Sequence, residues 1–335
     1  MNRTLRIAAA AAVGAGTLVG AASALGASTG SGATFPAIAY TKWCGDSGLC
    51  SYTGKGSGAG IKDLTKKTVD WAGSDAPLTP EELAAIGGQV KYFPTLLGAI
   101  TIPVNVPGVT GSKVNFDGTV LQGIFDGSIK AWNDKKITAI NKGVKFPASP
   151  ITVCVRADSS GTSFVFSRYL GKTNGRSAFK GGSKTPPWSA PVLVRQPGNP
   201  GVAQCVANTP NSIGYVDFGD AIRAGLQSKI AKVGKKGGPY VGPSTSAIVK
   251  AGEGKASTIK PDLTVDFSAS PNKGAYPIVA TTWALVVPGR PTNAGALQAI
   301  KYFLSPAAQK VLPGLGFAPL PAGLWTLANK QLSAA

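Results

Sequence analysis

The sequence predicts an α/β fold, built as one large unit or as two linked domains. Three observations carry that expectation. Short apolar runs of strand character alternate with capped, amphipathic helical segments along the chain, a pattern of strand, polar loop and helix rather than of an all-β sandwich. The 335 residues include 44 Gly and 25 Pro, too much turn chemistry for a bundle of long helices. Two extended apolar runs, Leu96 to Val106 and Tyr276 to Val287, stand far apart in the chain. They are candidates for paired crossover strands joining two lobes.

In chain order, residues 1–27 read as a secretory signal. Arg3 and Arg6 form a positive end, Ile7 to Ala22 is apolar, and Ala24 or Ala27 closes an A-x-A-like cleavage site. Val69 to Ala72 is expected as a strand. Thr79 to Ile86 is expected as a helix opened by a Thr cap with Pro80 at its first position. Val120 to Phe125 and Ile129 to Trp132 read as short helices, Ile151 to Val155 as a strand, and Ser163 to Leu170 as a helix. Gly171 to Pro200, rich in Gly, Pro, Lys and Ser, reads as surface loop. Ser212 to Asp217 is expected as a strand and Ala221 to Gln227 as a helix, with a loop over Lys235 to Ser246. Ala294 to Leu304 and Ser305 to Leu312 close the chain as helices, the second with Pro306 at its start.

Composition removes several chemistries. Histidine is absent, which excludes imidazole zinc sites, Ser-His-Asp hydrolysis and Cys-His proteolysis. One Met and four Cys leave little for soft-ligand metal chemistry, so no metal ligand is expected. Export favours disulfides, and four cysteines allow three pairings. The preferred set is Cys44 with Cys50, which closes a short flexible loop, and Cys154 with Cys205; the other pairings stay open. The net charge of +19 favours anionic partners, or else a solvated lysine-rich face, since the lysines are scattered rather than striped.

Four segments could converge on one oxyanion: Gly32-Ala33-Thr34-Phe35-Pro36, Gly56-Ser57-Gly58-Ala59-Gly60, Ala72-Gly73-Ser74-Asp75-Ala76-Pro77, and Arg156-Ala157-Asp158-Ser159-Ser160-Gly161-Thr162. Each alone is ordinary turn or cap chemistry. Together they offer hydroxyls, glycines that permit close backbone approach, helix starts whose N–H groups favour anions, and a guanidinium able to donate in bidentate fashion. An acceptor carboxylate at Asp75 would take a hydrogen bond from a phosphate OH and reject fully ionised sulfate, a mismatch worth several kcal/mol when buried. Read alone, Asp75 serves equally as a turn cap beside Pro77, and Asp158 as a loop cap or as the orienter of Arg156. A nucleotide loop is excluded, because no G-x-x-x-x-G-K-[ST] run is present and Gly58-Ala59-Gly60 lacks a Rossmann context.

These segments carry a resemblance. The chain resembles the extracytoplasmic phosphate-binding protein of high-affinity phosphate ABC transporters, from Gly32 to about Ala322. Its marks are Gly-Ala-Thr-Phe-Pro at 32–36 with Tyr40 and Lys42-Trp43, Gly-Ser-Gly-Ala-Gly at 56–60, and Thr68 through Leu78. Ile124-Phe125-Asp126-Gly127 with Ile129-Lys130-Ala131-Trp132, Arg156 through Phe164, Ile213-Gly214-Tyr215-Val216 and Gly316 through Leu320 complete the set.

The resemblance implies a two-lobed, periplasmic-binding-protein-like α/β fold closing over one phosphate. Lobe 1 is expected over 31–95 plus 275–335 and lobe 2 over 96–274. Matching motif to motif implies phosphate contacts from Thr34, Phe35 (backbone), Ser57, Asp75, Arg156, Ser160, Gly161 and Thr162, with Asp158 as the partner of Arg156. It implies no catalysis and no cofactor, inorganic phosphate as ligand, an ABC permease as partner, a monomer, and no nucleic acid. Two departures stand out. Only Cys44 to Lys55 bridge the Lys-Trp and Gly-Ser-Gly marks, where the family usually has a full helix and strand. No cysteine lies at the signal cleavage site, so a secreted, periplasmic or cell-surface protein is expected rather than a lipobox lipoprotein. The alternative classes are a secreted scavenger or surface protein binding polyanions through its lysines, and a phosphate-ester hydrolase, which Ser160 and Thr162 without an activating base do not support.

Overall fold

The structure, a computed structural model, describes residues 27–174 and 179–335. The signal expected over 1–27 lies outside the described residues except for Ala27.

The first part of the chain runs β1 (Ser28–Gly32), α1 (Ala37–Ser47), β2 (Cys50–Gly54), α2 (Ser57–Thr65), β3 (Trp71–Ser74), α3 (Pro80–Ala85) and the long β4 (Lys91–Asn105). β1 pairs in parallel with both β2 and β3, each connection passing through a helix, as parallel neighbours require. α3 begins with a full capping box: Thr79 Oγ1 accepts from the Glu82 N–H while the Glu82 carboxylate accepts from the Thr79 N–H.

The middle part runs β5 (Asn115–Asp117), α4 (Gly118–Phe125), α5 (Lys135–Ala139), β6 (Thr152–Arg156), α6 (Gly161–Asn174), β7 (Val192–Gln196), α7 (Gly198–Asn208), β8 (Ser212–Gly214), β9 (Val216–Asp217), α8 (Phe218–Arg223), β10 (Ile230–Gly234), β11 (Tyr240–Val241) and α9 (Thr245–Gly252). The last part adds β12 (Val279–Val286), α10 (Asn293–Phe303), α11 (Pro306–Lys310), β13 (Phe317–Ala318) and α12 (Ala322–Ser333).

The strand order β2-β1-β3-β12-β4-β8-β6-β7 places β4 at the centre. Residues 91–99 of β4 pair antiparallel with β12, while 100–105 pair in turn with β9, β10 and β8. One strand therefore belongs to two sheets, and the fold has two lobes that meet along it. The two apolar runs singled out in the sequence are paired over part of their length, Leu96–Ala99 against Val279–Thr282, and both are buried almost throughout because sheet and helices cover each face. A bulge leaves Thr95 opposite the Thr282–Trp283 step.

Each lobe is filled by an aromatic cluster. Tyr40, Trp43, Tyr52, Trp71 and Phe303 pack with ring centroids 4.9–5.9 Å apart. Phe125, Phe166, Phe179, Trp188 and Tyr215 pack in the other lobe with ring centroids 4.8–5.7 Å apart. The disulfides are Cys44–Cys50, tying α1 to β2, and Cys154–Cys205, tying β6 to α7.

Several local expectations shift. Ile129 to Trp132 is not a helix: the Ile151 N–H donates to the Lys130 carbonyl, Ala131 bridges Pro150, and the Trp132 indole donates to the Asn211 carbonyl. So short a segment cannot offset the cost of starting a helix, and cross-strand partners win. The stretch Gly171 to Pro200 contains β7, a half-exposed strand at the end of the sheet path whose apolar content is diluted. The expected strand Ser212 to Asp217 breaks at Tyr215 into β8 and β9. The loop expected over Lys235 to Ser246 holds β11 and the Ser244-capped start of α9. The short bridge Cys44 to Lys55 still supplies a strand, β2, to the sheet edge.

Candidate functional site

All four segments named from the sequence meet where the lobes face each other. Asp75 directly follows β3 and Arg156 ends β6, so both charges sit at carboxyl ends of strands, where open α/β sheets place ligands. Thr34 lies in the turn between β1 and α1, Ser57 opens α2, and Ser160, Gly161 and Thr162 open α6. Thr34 and Arg156 are 7% and 4% exposed, Asp75 2%, and Phe35, Ser57, Ser160 and Thr162 are fully buried.

The lobes touch here. A Cβ on Gly161 would lie 2.6 Å from both Asp75 Oδ2 and Ser57 Oγ, so only glycine lets α6 approach the other lobe this closely. The Gly161 N–H donates to Ser57 Oγ at 3.1 Å, and the Gly58 N–H donates to the Ser159 carbonyl at 3.0 Å. At the rim, Lys184 and Glu82 form an ion pair between the lobes.

The hydroxyl oxygens of the site all accept from protein donors. Ser57 Oγ also accepts from the Asp75 N–H, Ser160 Oγ caps α6 by accepting from the Ser163 N–H at 3.1 Å, and Thr34 Oγ1 accepts from the Asn199 N–H at 3.1 Å. Thr162 Oγ1 accepts from Arg156 Nη1 at 3.4 Å and from Asn199 Nδ2 at 3.1 Å. A hydroxyl carries one proton and two lone pairs; at Ser57 and Thr162 both lone pairs are occupied, so the proton is what they offer to anything placed between the lobes, while Ser160 and Thr34 keep one lone pair besides their proton.

Asp75 is the opposite kind of group. Its Oδ1 is buried without a hydrogen-bond partner among the described residues. Burial pushes the carboxyl up to about 7, although a hydrogen bond from Thr282 and the charge of Arg156 pull it down. The turn-cap reading of Asp75 is therefore not needed: the carboxylate faces the cluster.

Arg156 is held from behind. Its Nε donates to Asp158 Oδ1 at 2.8 Å and its Nη2 to Asp158 Oδ2. The fork-shaped face that the sequence reading aimed at a ligand is thus taken by Asp158. Burial raises the Asp158 carboxyl, but Arg156 and the Gly198 N–H outweigh it and hold the group below the usual carboxylate range. Two cavities flank the cluster. One of about 470 Å³ reaches Thr34 and is walled by Lys42, Pro200 and Arg223; another of about 330 Å³ reaches Asp75 and is walled by Arg168, Lys172, Lys255 and Lys260.

Asn199 and Thr282 enter the site without having been signalled by the sequence. Asn199 sits in Pro197-Gly198-Asn199-Pro200, which reads as plain loop, and Thr282 lies beside Thr281 inside an otherwise apolar run. No signal short of the folded sheet could have singled out either. Among the described residues no cluster of His, Cys, Asp and Glu is arranged to hold a metal ion.

A two-lobed α/β domain with a buried polar cluster between the lobes is the architecture of a solute receptor, and the model for the PBP superfamily domain matches residues 11–307. Within that class the chain belongs to the family of PstS phosphate-binding proteins. It is 35% identical over 286 residues to the phosphate-binding protein PstS 3 of Mycobacterium leprae, covering 81% of this chain and 75% of that protein. It is 32% identical over 303 residues to the PstS of Xylella fastidiosa, covering 87% and 81%. Among solved structures it is similar to a high-affinity periplasmic phosphate-binding protein, PfluDING, bound with phosphate (TM-score 0.73, 23% identity, 91% of this chain and 93% of that one).

Proposed function

We propose that this chain is an extracytoplasmic receptor that binds one inorganic phosphate ion between its lobes and delivers it to an ABC permease. The observation that carries the reading is the polarity of the buried cluster. The hydroxyls of Ser57 and Thr162, each already accepting two hydrogen bonds and left with a proton to give, stand with the guanidinium charge of Arg156 beside a carboxylate oxygen that has no hydrogen-bond partner among the described residues. Phosphate that retains a proton satisfies both sides: its oxygens accept, and its OH donates to Asp75. Sulfate, fully ionised at neutral pH, would face Asp75 with no proton to give.

On this reading the phosphate contacts are Thr34, the Phe35 backbone, Ser57, Asp75, Arg156, Ser160, Gly161 and Thr162, with Asp158 behind Arg156. Lobe 1 comprises 31–95 with 275–335 and lobe 2 comprises 96–274. On this reading the chain acts as a monomer and as a receptor rather than an enzyme, in keeping with its phosphate-binding relatives; among the described residues Ser160 and Thr162 hydrogen-bond to no basic group that could activate them. It works in the periplasm or outside the cell without a lipid-modified cysteine. A role as a polyanion-binding surface protein is not favoured, because the relatives matched over most of the chain are phosphate-binding proteins. The test is titration calorimetry of phosphate and sulfate into signal-less protein stripped of ligand by unfolding and refolding. Tight one-to-one uptake of phosphate alone is expected; no heat with either anion from folded protein would reject the reading.

A further inference from the structure

We infer that Asn199 is the positioning residue that turns Thr162 into an obligate hydrogen-bond donor to the bound anion. The inference rests on the phosphate reading and deepens it.

Asn199 lies at the start of α7 and is fully buried. Its Oδ1 accepts from Arg156 Nη1 at 3.3 Å and its Nδ2 donates to Thr162 Oγ1 at 3.1 Å. The direction of this amide is dictated by chemistry. A guanidinium has donors only, so the amide must present its carbonyl to Arg156, and the NH₂ must then face Thr162. Arg156 is itself fixed by Asp158.

The chain of constraint runs Asp158, Arg156, Asn199, Thr162. At its end Thr162 Oγ1 has accepted from both Asn199 Nδ2 and Arg156 Nη1. Both lone pairs are engaged, leaving the hydroxyl proton for the ligand. The Asn199 backbone N–H also occupies one lone pair of Thr34 Oγ1 from across the cleft. One residue thereby touches hydroxyls on both lobes, but only Thr162 has both lone pairs engaged, and only Thr162 depends on the Asn199 side chain. Without the amide, Thr162 can turn its proton elsewhere and present a lone pair to an anion.

The test is calorimetric titration of phosphate into wild type, Asn199→Ala, Thr162→Ala and the double variant, with Asn199→Asp as an isosteric companion. Asn199→Ala should weaken phosphate binding about tenfold, the scale of one hydrogen bond to a charged group. In the Thr162→Ala background the same change should cost less than about twofold, because the hydroxyl it orients is gone. Asn199→Asp keeps the volume but replaces the donor with an acceptor, so it should bind phosphate no better than Asn199→Ala. If Asn199→Ala does not fold, as judged by its thermal transition, Asn199→Asp decides. An equal loss in both backgrounds, or an Asp variant that binds like wild type, would reduce Asn199 to packing and overturn the inference while leaving the phosphate reading intact. Wild-type protein that takes up no phosphate would remove both.

Discussion

The two walls of the cleft follow one local plan and carry opposite chemistry. Each consists of a strand whose carboxyl end meets a polar turn and a helix start: β3 with α2 on one side, β6 with α6 on the other. The first wall holds a lone buried carboxylate, Asp75, that is pushed up in pKa and leaves one oxygen unpaired. The second holds a buried arginine locked to Asp158, whose carboxyl is held low. The difference teaches that the scaffold supplies position while side chains supply polarity. On the proposed phosphate reading neither wall alone would choose between phosphate and sulfate: the second wall would attract any tetrahedral anion, and the first would test it for a proton.

The sharpest way to break this division is Arg156→Ala. It removes the charge that the second wall offers the anion, so phosphate affinity should fall by about 2–5 kcal/mol, the cost of truncating one partner of a buried, hydrogen-bonded charge pair across a binding interface. Calorimetry checks the size, and the loss should exceed that of any single serine variant; a Ser57→Ala or Ser160→Ala protein that loses more would overturn the ranking.

The disulfides extend the comparison to stability. By loop-closure entropy the Cys154–Cys205 bridge, with a separation of 51, should stabilise by about 4 kcal/mol, and Cys44–Cys50, with a separation of 6, by about 2. Denaturant midpoints of the paired Cys→Ser variants should keep that order. A reversed order would show that the first lobe relies on its staple more than chain entropy predicts.

Asp75→Asn tests the first wall. Phosphate should weaken and the gap to sulfate should narrow, since the amide offers a donor where the carboxylate offered none. In wild-type protein, sulfate binding should strengthen as pH falls through about 7, where Asp75 takes up its proton, and this dependence should vanish in the variant. The sign for stability follows from the raised pKa. Between the unfolded value of 3.8 and about 7 the folded protein holds a proton that the unfolded chain does not. Ligand-free stability should therefore fall as pH rises through that window, by up to about 1.4 kcal/mol per pH unit from this group. Buried Asp217 and Asp220 are also raised, so the readout is the difference between wild type and Asp75→Asn.

The smallest effect is expected at the rim. Glu82→Ala breaks the inter-lobe pair with Lys184, which stands at the edge of the cleft with Glu82 partly exposed. Lys184 is buried and Glu82 partly exposed, so the pair falls between the exposed and buried limits, and affinity should change less than about tenfold, mainly through faster release. A larger loss would make the rim pair part of the recognition machinery.

The alternation of strand and helix, the two long apolar runs as candidate partners, the Thr79 cap with Pro80 behind it and the four converging segments were legible in the letters; the reciprocal Glu82 contact that completes the capping box was not read there. Each depends on neighbours a few residues away or on an unbroken apolar run, and local chemistry of that kind survives in sequence. The strand β7 and the bridge at Ala131 were not legible, because an edge strand needs few apolar residues and a single bridge needs none. The sequence named Arg156, Asp158 and Asp75 as actors but left open whether each was a cap, a surface ion pair or a site residue. That choice belonged to the tertiary structure. Only when β3 and β6 face each other across β4 and β12 does Asp158 take the fork of Arg156, Asn199 arrive from α7 to orient Thr162, and Asp75 lose its water without gaining a partner for Oδ1. Hydrogen-bond direction and desolvation are properties of groups brought together from distant parts of the chain, so they exist only once the chain has folded.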